Sequence, residues 1–577
     1  MTDFYFNIEE ANTLWKRWKL NSEKHPDREA IVHWVAGQEP YRWTYKNLID
    51  TAKKFSQQLK KIGIKPGEVC AIIIRHNPLF YPLYLGISRI GALPAILAYP
   101  NPRLHPDKFR QGLEGMSQRS GLDYILTERE LDPIIRPLIE NPKSTIKSVY
   151  FPLEWDLSNS IDEKLDKEIE EIANQVKDTD AAFLQHSSGT TGLQKPVVLS
   201  HRAVLNHVLN LGKAFKLSEN DKACSWLPLY HDFGLIAAFH IPLAYGITTV
   251  QLDPFEWVLA PVILLEAITK EKATMSFLPN FAYNVLADKI HEDELQGIDL
   301  SSLRIIVNAA EPIRHDSHQK FVNRFQKYGF NPLALTCLYG MAEATLGVTV
   351  TEPGKPITEL AVDRNELSKG IVKFADDNSV VRICVSSGKL IDGCSARIVD
   401  ENRKDIPDGL VGEVAVKSVS LFDGYRNYPE KTAEVVEDGW YFTGDYGFRY
   451  NDEYFIIGRK KDIIIVAGKN IYPEDIEDAV NNVPGVIPGR VIAFGEEDPD
   501  MGTEFVSVVA ETEAQSEEEK NKIRLEILKA GMSIDIVIHK VYLVPPRWLI
   551  KSSSGKPSRR TNKERLLSKT DPQVWSR

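Results

Sequence analysis

The stretch that most restricts the fold is a short loop rich in glycine and hydroxyl residues. Its sequence is Ser187-Ser188-Gly189-Thr190-Thr191-Gly192-Leu193-Gln194-Lys195. Strand-like apolar runs flank the loop, Ala181 to Gln185 before it and Val197 to Leu199 after it. Glycines let the backbone turn sharply and approach a ligand, while hydroxyls, amides and a lysine donate hydrogen bonds to anions. The loop therefore predicts either a polyphosphate site or a plain hairpin turn.

The loop differs from the Walker type of phosphate loop. In that type the lysine directly follows the second glycine, and the chain continues as a helix. Here two residues separate Gly192 from Lys195, and Pro196 leads into a β-branched run. A helix is expected only from His201 to Phe215, with Ser200 as its N-cap. The local pattern is therefore strand, loop, strand and then helix.

Length and composition limit the class of protein. A chain of 577 residues exceeds what one hydrophobic core usually supports, so two or more domains are expected. The composition is that of an ordinary globular protein, and the net charge of −10 argues against nucleic acid as a partner. The five cysteines form no CxxC pair, which is typical of a reducing compartment. We therefore expect a cytoplasmic protein without disulfides.

The sequence also argues against secretion and membrane insertion. Acidic residues interrupt the first apolar stretch, which is unlike a signal peptide. Only Tyr81 to Pro100 approaches the length of a membrane span, and it contains Arg89, two glycines and three prolines. A buried helix followed by a strand is the better prediction, and no transmembrane segment is expected.

Strand-like and helix-like segments alternate in the first part of the chain. Helices are predicted at 45–62 and 80–90, and strands at 69–75, 94–98 and 124–127. Such alternation favours α/β layers with mainly parallel sheets.

Later segments differ in character. Residues 161–178 are acidic and helix-prone, and we expect a solvated helix there. A second α/β stretch covers 203–345, and a strand-rich section covers about 380–450. The pattern changes at 458–462. Beyond that point the order of predicted elements is strand 463–466, helix 473–482, strands near 490–494 and 505–510, and helix 517–530.

Further short motifs carry acids, bases and hydrogen-bonding residues. In chain order they are Trp226–Gly234, Asn308–Pro312, Leu338–Thr345, Trp440–Asp445, Gly458–Asp462 and Ser552–Lys556. Each motif alone has a simpler explanation. His231, at the end of an aromatic strand, is of a kind usually packed in a core, and Lys556 would fit a disordered basic tail.

The loop and these motifs, taken together and in this order, resemble the adenylate-forming superfamily of acyl-CoA synthetases, luciferases and peptide-synthetase adenylation domains. The resemblance covers essentially the whole chain. It implies an α/β fold with a large N-terminal domain, 1–457, of layered α/β subdomains plus a β-rich subdomain. A hinge at 458–462 and a small mobile α+β C-terminal domain, 463–577, would complete it. The implied cofactors are ATP and Mg²⁺.

The resemblance also assigns roles to individual residues. Nucleotide contacts are implied for Ser187, Ser188, Gly189, Thr190, Thr191, Gly192, Ala310, Glu311, Pro312, Tyr339, Gly340, Met341, Asp445 and Arg459. Catalytic roles are implied for Lys195, His231, Glu343 and Lys556, and Lys461 would lie at the hinge. Glu343 would hold the metal, since Mg²⁺ often takes a single carboxylate besides phosphates and water. One departure is Pro196, where the family usually has glycine.

An extended segment indicates a branch of this superfamily. Glu343 and Gly388 are 45 positions apart, and the extra residues, about 353–381, resemble the insertion of fatty acyl-AMP ligases. The resemblance implies that the acyl group passes to the phosphopantetheine of an acyl carrier protein. Too many of the segment's residues are apolar for a solvated loop, and we expect them to dock on the N-terminal domain. They are Leu360, Val362, Leu367, Ile371, Val372 and Phe374.

The implied reaction is attack of a carboxylate, expected to be a medium- or long-chain fatty acid, on the α-phosphorus of ATP. Lys556 would bridge the carboxylate and the α-phosphate, while the loop at 187–195 would bind the β- and γ-phosphates. Three alternatives stay open. They are an acyl-CoA synthetase, an enzyme that adenylates an aryl or short-chain acid, and a catalytically inactive binding scaffold.

Overall fold

The computed structural model describes residues 4–100, 105–187, 194–466, 469–498, 503–551, 557–568 and 575–576. The strands of the first half are β1 Glu29–His33, β2 Tyr41–Thr44, β3 Val69–Ile73, β4 Leu93–Ile96, β5 Leu122–Thr127, β6 Ser148–Tyr150, β7 Ala181–Ser187, β8 Lys195–Ser200, β9 Lys222–Ser225, β10 Thr248–Gln251, β11 Met275–Pro279, β12 Ile305–Ala309, β13 Leu335–Gly340 and β14 Gly347–Val350.

The later strands are β15 Glu359–Asp363, β16 Val381–Val385, β17 Lys389–Leu390, β18 Cys394–Val399, β19 Gly412–Ser418, β20 Gly424–Tyr425, β21 Val436–Glu437, β22 Trp440–Tyr450, β23 Glu453–Arg459, β24 Ile464–Val466, β25 Lys469–Ile471, β26 Val486–Asp498, β27 Thr503–Thr512, β28 Ile538–Val544 and β29 Trp575–Ser576.

The helices are α1 Leu14–Lys24, α2 Tyr45–Lys61, α3 Phe80–Arg89, α4 Pro106–Ser120, α5 Asp132–Ile135, α6 Glu163–Gln175, α7 His201–Ala214, α8 Ile241–Tyr245, α9 Pro254–Leu259, α10 Val262–Glu271, α11 Asn280–Lys289, α12 His315–Phe325, α13 Arg364–Ser368, α14 Pro429–Val435, α15 Pro473–Asn481, α16 Glu517–Ser533 and α17 Arg559–Leu567. A π-helix, Phe233–His240, precedes α8, and short 3₁₀ turns include Ala342–Ala344 and Lys460–Asp462.

The first large sheet has seven strands in the order β20-β8-β7-β4-β3-β5-β6. Strands β7, β4, β3, β5 and β6 are parallel, whereas β8 runs antiparallel to β7. All of β3 is buried, and its alternate residues face two different hydrophobic clusters, as expected for a strand covered on both faces. The pairing of β7 with β8 agrees with the predicted strand–loop–strand pattern around 188–193.

The second large sheet has nine strands in the order β17-β14-β13-β12-β11-β9-β10-β1-β2. Its central strands, from β13 to β1, are parallel. Between the two sheets, α3 and the π-helix are buried at every residue and belong to one hydrophobic cluster. The predicted α/β layers with mainly parallel sheets are therefore confirmed.

A smaller antiparallel sheet follows, in the order β18-β19-β22-β21, with β23 paired to β22. Beyond β23, a hairpin of β24 and β25 and a four-stranded sheet of β26 to β29 pack with α15 and α16. This last part has two hydrophobic clusters, and both contain only residues from Ile464 onwards. The chain thus has a large N-terminal domain and a smaller C-terminal domain, as predicted, while the hinge at 458–462 stays a prediction.

The helix of the acidic segment is confirmed, and most of its residues are exposed to solvent as expected, but one side of it is packed against the N-terminal domain. Helix α6 contributes Asp166 and Glu170 as partners of Arg89, whose side chain is completely buried. The Asp166 carboxylate lies 2.6 Å from Arg89, and Ser56 accepts a further hydrogen bond from the same guanidinium. A buried cation needs such partners because leaving it unpaired in an apolar core is costly.

The inserted segment docks only in part as expected. Leu360, Val362 and Leu367 are buried, and they pack against the β-rich subdomain and Tyr472 of the C-terminal domain. Ile371 and Phe374 were expected to be buried and are exposed, 42% and 51% respectively. These two lie in the connection between α13 and β16 and form only isolated β-bridges, Ile371 with Leu410 and Phe374 with Val362.

The chain from Phe233 to Tyr245 is helical throughout, a π-helix followed directly by α8. Its wide first part lies close to the preceding loop, since a side chain at Gly234 would approach the Pro228 carbonyl oxygen to 2.3 Å. All five cysteines are free thiols. In the described part of the chain, none of the helices has both the length and the apolar character needed to cross a bilayer.

Asp221 connects the segments that lead into β9, β11 and β12 of the nine-stranded sheet. Its contribution to stability can be tested. Its buried carboxylate accepts hydrogen bonds from Arg304, Thr274 and Ser218, with distances of 2.6 to 2.7 Å for the shortest contact of each. Burial alone would raise the pKa of Asp221, but the hydrogen bonds from Arg304 and Thr274 hold it below the usual value. The charged form is therefore the one that stabilises the fold.

We expect Asp221→Asn to lower the free energy of unfolding by about 2–4 kcal/mol at pH 7, because the Arg304 guanidinium loses its charge partner. The difference in the free energy of unfolding between the variant and the unchanged protein should shrink as the pH falls from about 4 through the folded-state pKa of Asp221. Urea unfolding followed by tryptophan fluorescence measures this. Asp288→Asn, which breaks a half-exposed ion pair with Lys320, is the control and should cost less than about 1 kcal/mol. A similar effect of both variants at pH 7 would contradict the prediction.

Candidate functional site

The motif residues gather at the carboxyl-terminal edge of the nine-stranded sheet. Strands β12 and β13 are parallel neighbours, so Ala310 and Met341, which follow them, emerge at the same edge. In open α/β sheets this edge is where ligands bind. The loop that starts at the end of β7 and the strands β22 and β23 supply the other motif residues.

Glu343 lies on a tight turn between β13 and β14. The Met341 amide donates to the Leu346 carbonyl oxygen at 2.7 Å, and Thr345 closes the turn with φ of +69°, in the left-handed region. Residues without glycine's freedom adopt such a conformation only under constraint. Gly340 is also required, because a Cβ there would lie 1.6 Å from the Leu346 carbonyl oxygen. The turn fixes the backbone of Glu343, whose side chain is buried.

A tyrosine connects Glu343 with Lys195. The Tyr425 hydroxyl lies 2.7 Å from Glu343 Oε1 and 3.5 Å from Lys195 Nζ. The Lys195 ammonium also lies 4.7 Å from the centre of the Tyr425 ring. Sequence reasoning placed Lys195 and Glu343 in one site but missed Tyr425. The sequence feature that could have pointed to Tyr425 is its place directly after Gly424, in a stretch rich in turn-forming residues.

Asp445 forms a second centre of hydrogen bonds. Its carboxylate accepts from the Tyr339 hydroxyl at 2.8 Å and from Arg459 Nε at 3.0 Å. Strand pairing sets this geometry, because Asp445 of β22 is the direct partner of Arg459 on β23. Burial raises the pKa of Tyr339, and the charge of Asp445 raises it further, so the hydroxyl stays protonated and donates.

Three positively charged side chains lie near Asp445. They are Arg459, which is paired with Asp445; Lys461, on which the charges of Arg459 and Asp445 act; and Lys195, whose charge acts on Lys461. Burial lowers the pKa of Lys461, and the neighbouring Arg459 lowers it further. Cations held close together despite their mutual repulsion provide a site for an anion with several charges.

The segment from Ala310 to Pro312 lies beside Phe281, at the start of α11. Ala310 has φ of +69°, which is again strained for a residue other than glycine. The Glu311 carboxylate accepts from the Phe281 amide at 2.9 Å, so it caps the amino-terminal end of α11. The geometry therefore gives Glu311 a structural contact that the sequence motif alone did not indicate.

His231 lies just before the π-helix, in a loop tied to β7. Gln185, two residues before the end of β7, donates to the Tyr230 carbonyl oxygen at 2.8 Å. The His231 ring lies 2.7 Å from Asp232, measured from Nδ1 to the carboxylate oxygen. The His231 loop is thus attached to the strand that leads into the Ser187–Lys195 loop.

Two predicted groups of site residues fall outside the described residues. They are Ser188, Gly189, Thr190, Thr191 and Gly192 of the loop after β7, and Lys556 with the serines before it. The flanks of the second group are described. Lys551 and Pro557 pair as a β-bridge, and Asn562 donates to the carbonyl oxygens of Ile550 and Ser558. Burial lowers the pKa of Lys551 to about 8, against the opposing effect of the Glu311 charge.

Comparison with known proteins gives consistent matches. The sequence profile described as AMP-binding enzyme matches residues 18–426. A medium-chain-fatty-acid–[acyl-carrier-protein] ligase, JamA of Moorena producens, is 29% identical over 97% of this chain and 96% of its own. A putative acyl-CoA synthetase of Caulobacter vibrioides is 28% identical, covering 91% of this chain and 90% of its own.

Among solved structures, the fatty acyl-adenylate ligase from L. pneumophila, in complex with acyl adenylate and pyrophosphate, matches all of this chain and 99% of its own. The TM-score is 0.73 and the identity 26%. The predicted resemblance to adenylate-forming enzymes is therefore confirmed. Because its profile match covers well over half of the chain, the protein belongs to the family of AMP-binding enzymes.

Proposed function

We propose that this protein uses ATP to convert a fatty carboxylic acid into an acyl-adenylate and then passes the acyl group to the thiol of a phosphopantetheine on a carrier protein. The observation that carries the proposal is the pair of buried carboxylates, Glu343 and Asp445, each bonded to a tyrosine. Asp445 is also paired with Arg459, and the tyrosine bonded to Glu343 also contacts Lys195. This arrangement offers a place for ribose hydroxyls and for a metal-bound phosphate within one site.

Asp445 is suited to bind the ribose. A carboxylate has about four lone-pair positions, and the Tyr339 hydroxyl and Arg459 occupy one on each oxygen. The remaining positions are available to two neighbouring hydroxyl groups of a ribose. Tyr339 and Arg459 fix the orientation of the carboxylate, and Arg459 on the neighbouring strand lies close enough to contact the same sugar.

The cations solve the main difficulty of the reaction, which is to bring a carboxylate close to a polyphosphate. Lys195, Lys461 and Arg459 provide positive charge before any substrate binds, so little rearrangement is needed. Lys556 would reach the reacting atoms from the loop between Lys551 and Pro557. The charge of Glu311 acts on Lys551, at the start of that loop, which supports an approach of the loop to the Ala310–Pro312 segment.

Glu343 fits a magnesium ligand. Among the described residues, no group of three or more His, Cys, Asp or Glu side chains is suited to hold a metal. Mg²⁺ takes one or two carboxylates together with phosphates and water. Glu343 is a single buried carboxylate. Its partner Tyr425 also contacts Lys195, the residue at the end of the loop proposed to bind phosphate. Bound there with ATP, Mg²⁺ would offset negative charge on the phosphates.

The nucleotide and metal roles predict different kinetic effects. Asp445→Ala should raise the KM for ATP about tenfold or more and lower kcat less, since ribose contacts are alike in ground and transition states. Glu343→Ala should instead depress kcat and raise the Mg²⁺ concentration needed for half-maximal rate. Pyrophosphate release with varied ATP and Mg²⁺ measures both.

Asp408→Ala is the matched control for these variants, because Asp408 forms an exposed ion pair with Arg449 on the same β-rich subdomain. It should leave both constants unchanged. The same kinetic signature from Asp445→Ala and Glu343→Ala would show that the division into ribose and metal roles is wrong.

A second prediction concerns the lysine proposed to bridge the two reacting groups. Lys556→Ala should reduce adenylate formation by about a hundred- to a thousandfold, the usual loss of about 3–4 kcal/mol for one transition-state charge contact. The melting temperature should not change. Lys551→Ala is the comparison, and a larger loss there than in Lys556→Ala, measured by pyrophosphate release, would transfer the role to Lys551.

The choice of acceptor rests on the segment 353–381. Its residue Arg364 lies 2.9 Å from Asp475 of α15, and Arg382, just after the segment, lies 3.2 Å from the same carboxylate. Arg314 of the N-terminal domain lies 2.8 Å from Asp478, on the same helix. The segment therefore contacts both domains, which supports a limit on rotation about the hinge and hence on the use of coenzyme A.

The hairpin geometry allows a sharp test of this limit. Asp363 and Val381 are direct partners in the β15–β16 pair, so a two-residue Asn-Gly turn can replace residues 364–380. We expect this variant to keep pyrophosphate release and to gain acyl-CoA formation, measured by mass spectrometry with coenzyme A and holo-carrier protein in parallel. Lys369→Ala, an exposed change within the segment, is the control. Rapid acyl-CoA synthesis by the unchanged enzyme would contradict the carrier-protein acceptor.

A further inference from the structure

Tyr425 is the side chain through which the acid and the lysine of the site meet. It lies on β20, the edge strand of the seven-stranded sheet, where it pairs with Val197 of β8. Its hydroxyl is 2.7 Å from Glu343 and 3.5 Å from Lys195, and its ring faces the Lys195 ammonium. Three separate segments of the chain thus converge on one hydroxyl group.

The direction of these hydrogen bonds follows from the chemistry of the groups. A carboxylate can only accept, whereas a tyrosine hydroxyl is protonated at neutral pH and an ammonium can only donate. The Tyr425 hydroxyl therefore donates its proton to Glu343 Oε1, while Lys195 donates to the tyrosine oxygen. Within the described parts of the chain, Tyr425 is the only residue that donates to the Glu343 carboxylate, and it contacts Oε1.

The ring of Tyr425 is fixed as firmly as its hydroxyl. Its amide donates to the Thr432 hydroxyl at 2.9 Å, and its ring packs edge-on against Phe422 with centroids 4.9 Å apart. The Phe422 amide in turn donates to the backbone carbonyl oxygen of Glu343 at 2.8 Å. The segment that carries Tyr425 is therefore bonded to Glu343 through both the side chain and the backbone.

We propose that Tyr425 is a positioning residue for metal and phosphate: its hydroxyl occupies Oε1 of Glu343 so that Oε2 is free to bind Mg²⁺, and its ring holds Lys195 beside the carboxylate. The inference rests on the proposed adenylating function and assigns a role to a residue outside the recognised motifs. A carboxylate oriented before binding loses less side-chain entropy when the metal binds. A cation on an aromatic face stays near the site without a full ion pair with Glu343, which would compete with the metal.

The test is Tyr425→Phe, which removes the hydroxyl and keeps the ring under Lys195. Calorimetry should measure ATP binding twice, once with excess Mg²⁺ and once with EDTA. We expect binding of ATP with Mg²⁺ to weaken about tenfold, the effect of one hydrogen bond to a charged group, while binding in EDTA changes less than twofold. The Mg²⁺ concentration for half-maximal pyrophosphate release should rise by a similar factor.

Tyr45→Phe is the matched control. It removes another buried hydroxyl, bonded to the Ile247 carbonyl oxygen at 2.9 Å, in a part of the core without motif residues. Both of its ATP affinities should equal those of the unchanged protein. An equal loss with and without metal in Tyr425→Phe, or no loss at all, would overturn the positioning role. Absence of ATP binding and pyrophosphate release in the unchanged protein would overturn the proposed function as well, so the two failures are distinguishable.

Discussion

The close approach of Gly340 to the Leu346 carbonyl group determines where the acid of the site lies. Strands β13 and β14 pair up to this point, and the chain must reverse within a few residues without room for a side chain. The strained Thr345 and the short 3₁₀ turn are consequences of that reversal. Because the turn holds the backbone of Glu343 in one conformation, its carboxylate is already placed within hydrogen-bond distance of the Tyr425 hydroxyl.

The local part of this architecture could be predicted from the sequence. Ser200 caps α7, and α2 begins at Tyr45, because capping and amphipathic spacing depend on neighbours along the chain. The contacts that complete the site could not be found in this way. Tyr425 and Glu343 are 82 positions apart, and Tyr339 and Asp445 are 106 apart. Such pairs form only after whole sheets pack, and local sequence patterns do not encode that packing.

The C-terminal domain shows the same division between local and distant contacts. The sequence predicted α15 and α16, yet a simple basic tail remained an alternative for the residues after Lys551. Arg559 instead lies between Asp462, Glu474 and Glu477, within 2.7 to 2.9 Å of each. The side of the loop that follows Lys556 is therefore anchored to α15, whose Asp475 also binds the inserted segment. A single helix thus connects the loop of the proposed catalytic lysine with the segment proposed to select the acceptor.

The buried arginine of α3 has a consequence for synthesis of the chain. Arg89 finds its acidic partners 77 and 81 residues later, and α1 is held by Asn21, whose side chain donates to carbonyl groups 222 and 223 residues ahead. Ribosomes add roughly 5–20 residues per second, so the first helix waits on the order of 10–45 s for its place. During that interval the surface of α1 that contacts α8 has no partner, although α2 and α3 can already pack on its other side. Contacts so distant in sequence cannot form early, so we expect α1 to complete its packing only after α8 has been synthesised.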